Sequence, residues 1–186
     1  MSLDLSVNLF MPAIQNSLLT SISIFIDFIF DPVLLVFISL IISIYFYSIK
    51  KKRDGILFFL SVFASGILVE TLKFIFSRER PLNSLIPEVG SALPSGHASV
   101  TLVFFGMLAY IFFRNKKFEE KIIAYILVGI LVLFTGFTRI YLCLHWLTDV
   151  LCGFVVGGIV LLVGIWINER TSRAACEKPN HRSPVR

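Results

Sequence analysis

The chain has 186 residues, 56% of them hydrophobic, with a mean hydropathy of +0.86 and a formal net charge of +5. Apolar residues come in long runs rather than amphipathic stripes, which excludes a soluble globular domain and points to a single integral membrane domain. The basic surplus implies no nucleic-acid partner: its clusters are short, sit beside apolar runs and carry no nucleic-acid motif, so attraction to anionic lipid accounts for it.

The first ten residues contain Asp4 and no Lys or Arg, so the positive region of a cleavable signal peptide is missing. Residues 9–30 are apolar but broken by Pro12, Gln15, Asn16 and Asp27. An interfacial helix that turns into the first span is favoured here. A sixth span would leave only Asp31-Pro32 as a connection, a very tight hairpin. Five later runs, near 32–49, 55–76, 97–113, 121–138 and 149–168, are long enough to cross a ~30 Å hydrocarbon layer at about 1.5 Å per residue. Backbone polar groups cannot stay unpaired in lipid, so the expected fold is an all-α polytopic transmembrane helical bundle. It has five spans plus an N-terminal interfacial helix, with six spans as the alternative. Residues 1–168 form the membrane domain. Residues 169–186 are polar, contain Pro179 and Pro184, and read as a disordered basic cytoplasmic tail in which His181 has no role. Cys143, Cys152 and Cys176 show no metal-ligand spacing and define no disulfide framework. Nothing in the sequence sets an oligomeric state.

Charge placement orients the bundle. Lys50, Lys51, Lys52 and Arg53 follow the first span. Arg114, Lys116, Lys117 and Lys121 lie between the third and fourth, and Arg170, Arg173, Lys178, Arg182 and Arg186 follow the fifth. The positive-inside rule makes this face cytoplasmic. The remaining four cations, Lys73, Arg78, Arg80 and Arg139, fall on the opposite face, each in or beside a polar motif.

Three segments carry that polarity. Lys73 lies near the end of the second span, three residues after Glu70 and on the same helical side. Alone, Lys73 would read as a snorkelling terminal lysine. Arg80 precedes Pro81, which predicts that the helix runs to this point and stops. Two cations placed in this way repel unless an anion sits between them. Arg78 reads either as a contact behind the site or to a headgroup, or as a solvated ion pair with Glu79. Residues 82–93 form a loop long enough to cap a site. Pro94-Ser95-Gly96-His97 opens the third span. Ordinary helix-start signals explain Pro94 and Ser95 but not Gly96 or His97. A helix N-terminus with Gly lets a phosphate approach free N–H groups, with His97 beside it as a general acid. In Thr138-Arg139-x5-His145-x3-Asp149, helical spacing would let Asp149 accept a hydrogen bond from one ring nitrogen of His145, leaving the other free to attack. An interfacial histidine with a capping aspartate explains the same pair without chemistry. Tyr141 and Trp146 fit an interfacial aromatic belt.

Taken in order, these segments resemble the type 2 phosphatidic acid phosphatase superfamily of membrane lipid phosphatases, whose pattern is K-x6-R-P, then P-S-G-H, then S-R-x5-H-x3-D. The first two match at every fixed position, and Thr138 stands where the family has Ser. The resemblance implies that Lys73, Arg80 and Arg139 bind the phosphate, with hydrogen bonds from Ser95 and Gly96. It implies that His145 attacks phosphorus to form a phosphohistidine and that Asp149 orients it. His97 would protonate the leaving oxygen and then activate water. It implies no metal and no other cofactor, the cations supplying the charge stabilisation.

The expected function is therefore metal-independent hydrolysis of a membrane lipid phosphate or pyrophosphate. Undecaprenyl pyrophosphate is favoured on chain size, and phosphatidylglycerol phosphate or phosphatidate are the alternatives. A lipid phosphotransferase using the same intermediate and a non-enzymatic anionic-lipid binder are the competing classes. The expected location is the bacterial inner membrane, with the site on the extracytoplasmic face and the tail in the cytoplasm.

Overall fold

A computed structural model describes residues 2–176 and contains seven helices in that range. They are α1 (Leu3–Ile14), α2 (Ser17–Ile29), α3 (Pro32–Ser48), α4 (Lys52–Phe76), α5 (Gly96–Phe113), α6 (Phe118–Tyr141) and α7 (Leu147–Cys176). Helices α4, α5, α6 and α7 are each long and apolar enough to cross a bilayer, and α2 with α3 forms a fifth, broken span bent by 49°. This is the all-α bundle that the sequence predicts.

The N-terminal region differs from the single interfacial helix expected over residues 9–30. It is two helices, α1 and α2, parted at Gln15-Asn16. The polar break has a reason: Gln15 Nε2 donates to the Tyr141 carbonyl at 2.9 Å, and Asn16 N donates to Tyr141 Oη at 3.0 Å. Asn16 Oδ1 also caps α2 by accepting from Leu19 N. Asp31-Pro32 is a bend rather than a hairpin. Asp31 caps α3 and Pro32 takes its first turn, where its missing N–H costs nothing. Helices α1 and α2 pack on α6, and α1 also reaches α7.

Two other boundaries move. Helix α4 stops at Phe76, four residues before Arg80, because Ser77 takes a left-handed C-cap (φ 43°). Helix α7 runs on to Cys176, past the expected end at 168, so the first part of the expected tail is helical; residues 177–186 lie outside the described residues.

The central helix is α5, which touches α3, α4, α6 and α7. Its Val100, Val103, Phe104 and Met107 pack with Leu35, Phe46, Phe58 and Val62. Ile126, Leu127, Ile130, Val155, Ile159 and Leu162 turn outwards, as lipid-facing surfaces do. Helices α5 and α7 approach at backbone distance. A Cβ on Gly153 would stand 2.5 Å from the Ser95 carbonyl oxygen, and one on Gly157 would stand 2.7 Å from that of Ser99. Small residues four apart allow such contact where no hydrophobic drive holds helices together in lipid.

The basic end is tied together. Arg114 forms a two-pronged ion pair with Asp54 (2.9 and 2.7 Å), and Arg53 donates to Asn168 Oδ1 at 2.6 Å. The α3–α4 turn, the end of α5 and the far part of α7 therefore share one end of the bundle, and the polar motifs occupy the other.

The α5–α7 contact yields a stability prediction. Gly153→Ala pushes the Ser95 peptide away, and overpacking of this kind costs about 1–3 kcal/mol. The melting temperature of the detergent-solubilised variant should fall clearly; an unchanged value would show that the helices separate without cost.

Candidate active site

The motif end is assembled from five chain segments. Ser77 ends α4, so residues 77–80 leave the helix without regular structure and carry Arg80 across to the turn between α6 and α7. There Arg80 Nη1 donates to the Leu144 carbonyl at 2.8 Å and lies 3.3 Å from His145 Nε2. Its other nitrogens donate to the Gly90 and Ser91 carbonyls, at 3.0 and 3.2 Å. The guanidinium thus joins the loop over 82–93 to the His145 turn.

Ser95 caps α5 and accepts from Ala98 N, while its own N–H donates to the Asp149 carbonyl at 3.0 Å. Gly96 and His97 occupy the first two positions of α5. A cavity of about 140 Å³ lies over them, with Lys73, Glu70, Glu88 and His145 also in its wall. A Cβ on Gly96 would make ordinary contacts with Pro32 Cγ at 3.4 Å and Val69 Cγ1 at 3.6 Å, with Lys73 Nζ 4.0 Å away.

Arg139 is fully buried in the last turn of α6. Its guanidinium pairs with Asp27 of α2 and Glu88 of the loop. Glu88 also meets Arg80 at 3.1 Å. One carboxylate therefore stands against both arginines. Burial pushes the Glu88 carboxyl above its ordinary value of 4.5, against the pull of Arg80 and Lys73. Asp27 also serves His97, whose Nε2 lies 3.1 Å from the Asp27 carbonyl and 3.3 Å from its carboxylate.

His145 precedes α7 rather than lying on it. Its Nδ1 is 2.7 Å from the Ala92 carbonyl, which can only accept, so Nδ1 carries the proton and Nε2 presents its lone pair. Asp149 Oδ2 stands 3.7 Å from Nδ1, too far for a hydrogen bond. The bond expected between His145 and Asp149 is made to Ala92 instead. Asp149, at the third position of α7, reaches back to the Trp146 N–H at 2.8 Å, the acidic half of a capping box.

The cavity brings together Lys73, Gly96, His97 and His145. Arg80 and Arg139 lie behind Glu88. Ser95 is occupied as a cap and is absent from the cavity wall. Arg78 forms no pair with Glu79; it reaches Asp4 and Asp149, each at 2.6 Å. Sequence reading misses Asp4, Asp27, Glu88 and the Ala92 carbonyl. Asp27 carries a signal, a lone acid inside an apolar run, but in sequence it registers only as a break.

Seven described helices, at least four of them span-length, with two imidazoles, a lysine and three carboxylates around a cavity, define an integral membrane protein with a cluster of ionisable groups at one end of its bundle. The chain belongs to the PAP2 superfamily, whose profile matches residues 54–173. It is 30% identical over 134 residues to phosphatidylglycerophosphatase B of Bacillus subtilis, covering 70% of this chain and 65% of that one. It is 30% identical over 104 residues to lipid A 1-phosphatase of Porphyromonas gingivalis, 56% of this chain and 21% of that one. The match thus spans just under two thirds of the first relative and about a fifth of the second. The crystal structure of a transmembrane PAP2-type phosphatidylglycerolphosphate phosphatase from Bacillus subtilis superposes with a TM-score of 0.83 at 26% identity, over 90% of this chain and 85% of that one. LpxE of Aquifex aeolicus shares the fold, with a TM-score of 0.68 at 22% identity, over 89% and 96% of the two chains.

Burial, then the charges of Arg139 and Arg80, hold the His145 pKa well below the ordinary 6.5. Below pH 6.5 the unfolded chain binds a proton that the folded chain refuses, so this group costs stability as pH falls. The melting temperature of wild type should drop on acidification below 6.5, and His145→Gln should drop less. Parallel curves would contradict a neutral, buried His145.

Proposed function

We propose that this chain is a lipid phosphate phosphatase that works through a phosphohistidine on His145, without a metal. The observation that carries the reading is the placement of Glu88. A carboxylate bridges Arg80 and Arg139 at the wall of a cavity shared by Lys73, His97 and His145. An incoming phosphate is the stronger partner for this set: it offers more oxygens and more charge than one carboxylate. It would displace Glu88 and lie against Lys73, Arg80 and Arg139, with the start of α5 at Gly96 below it.

His145 Nε2 then attacks phosphorus. An N–P bond forms, the ester P–O bond breaks, and His97 gives its proton to the departing alkoxide. In the second step His97 takes a proton from water, whose oxygen attacks phosphorus, and the N–P bond breaks to release phosphate. The Ala92 carbonyl keeps Nδ1 protonated throughout the approach. Asp149 supplies nearby negative charge as the ring becomes cationic. The arginines and lysine offset charge on the phosphoryl oxygens.

An apolar groove of about 300 Å³ between α3 and α4 shares Pro32, Val33, Glu70 and Gly96 with the phosphate cavity. Val36, Phe37, Phe63 and Ile67 line its outer part. A substrate could keep its hydrocarbon chain there while its head reaches His145. The likeness to a phosphatidylglycerophosphate phosphatase of Bacillus subtilis, in sequence and in fold, favours that glycerolipid monoester over the polyprenyl pyrophosphate that chain size suggests. The site end lies opposite the basic loops, which supports an extracytoplasmic site in a bacterial inner membrane.

Purified protein should release phosphate from phosphatidylglycerophosphate in EDTA, faster than from phosphatidate or undecaprenyl pyrophosphate. His145→Ala should lower the rate at least about 10³-fold, as loss of a covalent nucleophile does. Activity retained by that variant would remove His145 from the role, and loss in EDTA would remove the metal-free mechanism. Sidedness has its own measurement. On a background with Cys143, Cys152 and Cys176 replaced by Ala, Leu82→Cys should react with an impermeant maleimide on intact cells, and Lys116→Cys should not. The reverse pattern would put the site in the cytoplasm.

A further inference from the structure

We propose that Arg78 is a positioning residue for His145, and that helix α1 joins the same apparatus through Asp4. The inference rests on the proposed role of His145.

Arg78 reaches His145 by two routes. Its Nη1 donates to Asp149 Oδ1 at 2.6 Å, and Asp149 lies 3.7 Å from His145 Nδ1. Its backbone carbonyl accepts from Ala92 N at 2.8 Å, and the carbonyl of that same Ala92 takes the Nδ1 hydrogen bond. The Arg78 N–H donates to Ser91 Oγ at 2.9 Å, so both its backbone polar groups hold the strand of loop that carries Ala92. A side chain and a peptide from one residue thus fix both neighbours of Nδ1.

Asp4 completes the arrangement. Arg78 Nη2 donates to Asp4 Oδ2 at 2.6 Å, and Nη1 also donates to Thr148 Oγ1 at 2.7 Å. Asp4 accepts from Thr148 N at 2.9 Å and from Thr148 Oγ1 at 2.6 Å, so a carboxylate from α1 caps α7 beside Asp149. Burial raises the Asp4 carboxyl, but the Thr148 bonds and Arg78 outweigh it and leave it below the ordinary 3.8. The guanidinium therefore sits between two carboxylates, one on α1 and one on α7. Asp149 is fully buried, and without Arg78 its charge would lose its ion-pair partner. Arg78 is not in the wall of the cavity that holds His97 and His145; it lines an adjoining one of about 510 Å³, which shares Glu70 and Lys73 with the first.

A purely structural strap and a positioning device differ in what they change at His145. The full chain, labelled with ¹⁵N at histidine and held in detergent, should show His145 as the Nδ1–H tautomer, the signal being assigned with His145→Ala. Arg78→Ala and Asp4→Asn leave the Ala92 carbonyl in place, so each should keep that tautomer but shift the His145 ¹⁵N resonances as Asp149 moves relative to Nδ1. Each should lower kcat on phosphatidylglycerophosphate about 10- to 100-fold with KM within about twofold, the usual scale for a group that orients a reacting one. Arg78→Lys should recover part of the loss, and the double variant should lose no more than Arg78→Ala alone. Unchanged His145 resonances with wild-type kcat in both variants would overturn the proposal, as would a raised KM with normal kcat, which would make Arg78 a substrate contact. Should Arg78→Ala not fold, Asp4→Asn and Arg78→Lys decide the question by the same readouts. The resonances are read without turnover. A chain that releases no phosphate from any lipid therefore refutes the proposed function, while the His145 resonances still decide the role of Arg78.

Discussion

The structure at its motif end depends on one buried charge. Arg139 has no access to water, and a guanidinium in that position is tolerated only if carboxylates meet it. The two that do come from distant parts of the chain, Asp27 on α2 and Glu88 in the loop before α5. Meeting this demand draws the N-terminal helices over α6 and pulls the loop down onto the bundle. The same carboxylates then serve neighbouring groups: Asp27 reaches His97, and Glu88 reaches Arg80. A single unsolvated cation thus organises the surroundings of both histidines.

Helix contact supplies the second constraint. Gly153 and Gly157 let α7 lie against the backbone of α5 at Ser95 and Ser99. That brings the start of α5, with Gly96 and His97, beside the start of α7, with Asp149 just inside it. Ser95 N donating to the Asp149 carbonyl seals the junction. The polar residues are therefore held by two helix ends and a closely packed seam, while the lipid-facing sides of α6 and α7 stay apolar. Precise placement is thus possible in a medium that offers the helices little hydrophobic drive to associate.

Much of this is legible in the sequence, for identifiable reasons. Spans announce themselves because lipid demands long apolar runs, and the basic loops mark the two ends. Lys73, His97, His145 and Gly96 are readable as a group because ionisable side chains beside a poor helix former are costly at a membrane boundary unless they bind or react. Sequence and structure part where local rules compete. Pro81 suggests that α4 reaches Arg80, but Ser77 ends it earlier with a left-handed cap. The four-residue spacing of His145 and Asp149 suggests a hydrogen bond. His145 lies before the helix, however, and a loop carbonyl accepts the hydrogen bond from its Nδ1. Ser95 reads in sequence as a helix cap and serves as one, accepting from Ala98 N; only the family resemblance implies a phosphate contact for it.

The sequence by itself determined the medium, the helical class, the two unlike ends and the residue types that gather at one of them. Those follow from hydropathy, backbone hydrogen bonding and motif spacing, all of which act over short stretches of chain. Only the tertiary structure decided the partners: Asp27 and Glu88 for Arg139, Ala92 for His145, and Asp4 with Arg78 for Asp149. These partners are far apart along the chain: 51 positions separate Glu88 from Arg139, 53 separate Ala92 from His145 and 71 separate Arg78 from Asp149. A lone acid in an apolar run or a loop looks the same in sequence whether it faces water or a buried guanidinium. Which it faces depends on how the helices pack, and that packing brings the charges within reach of one another.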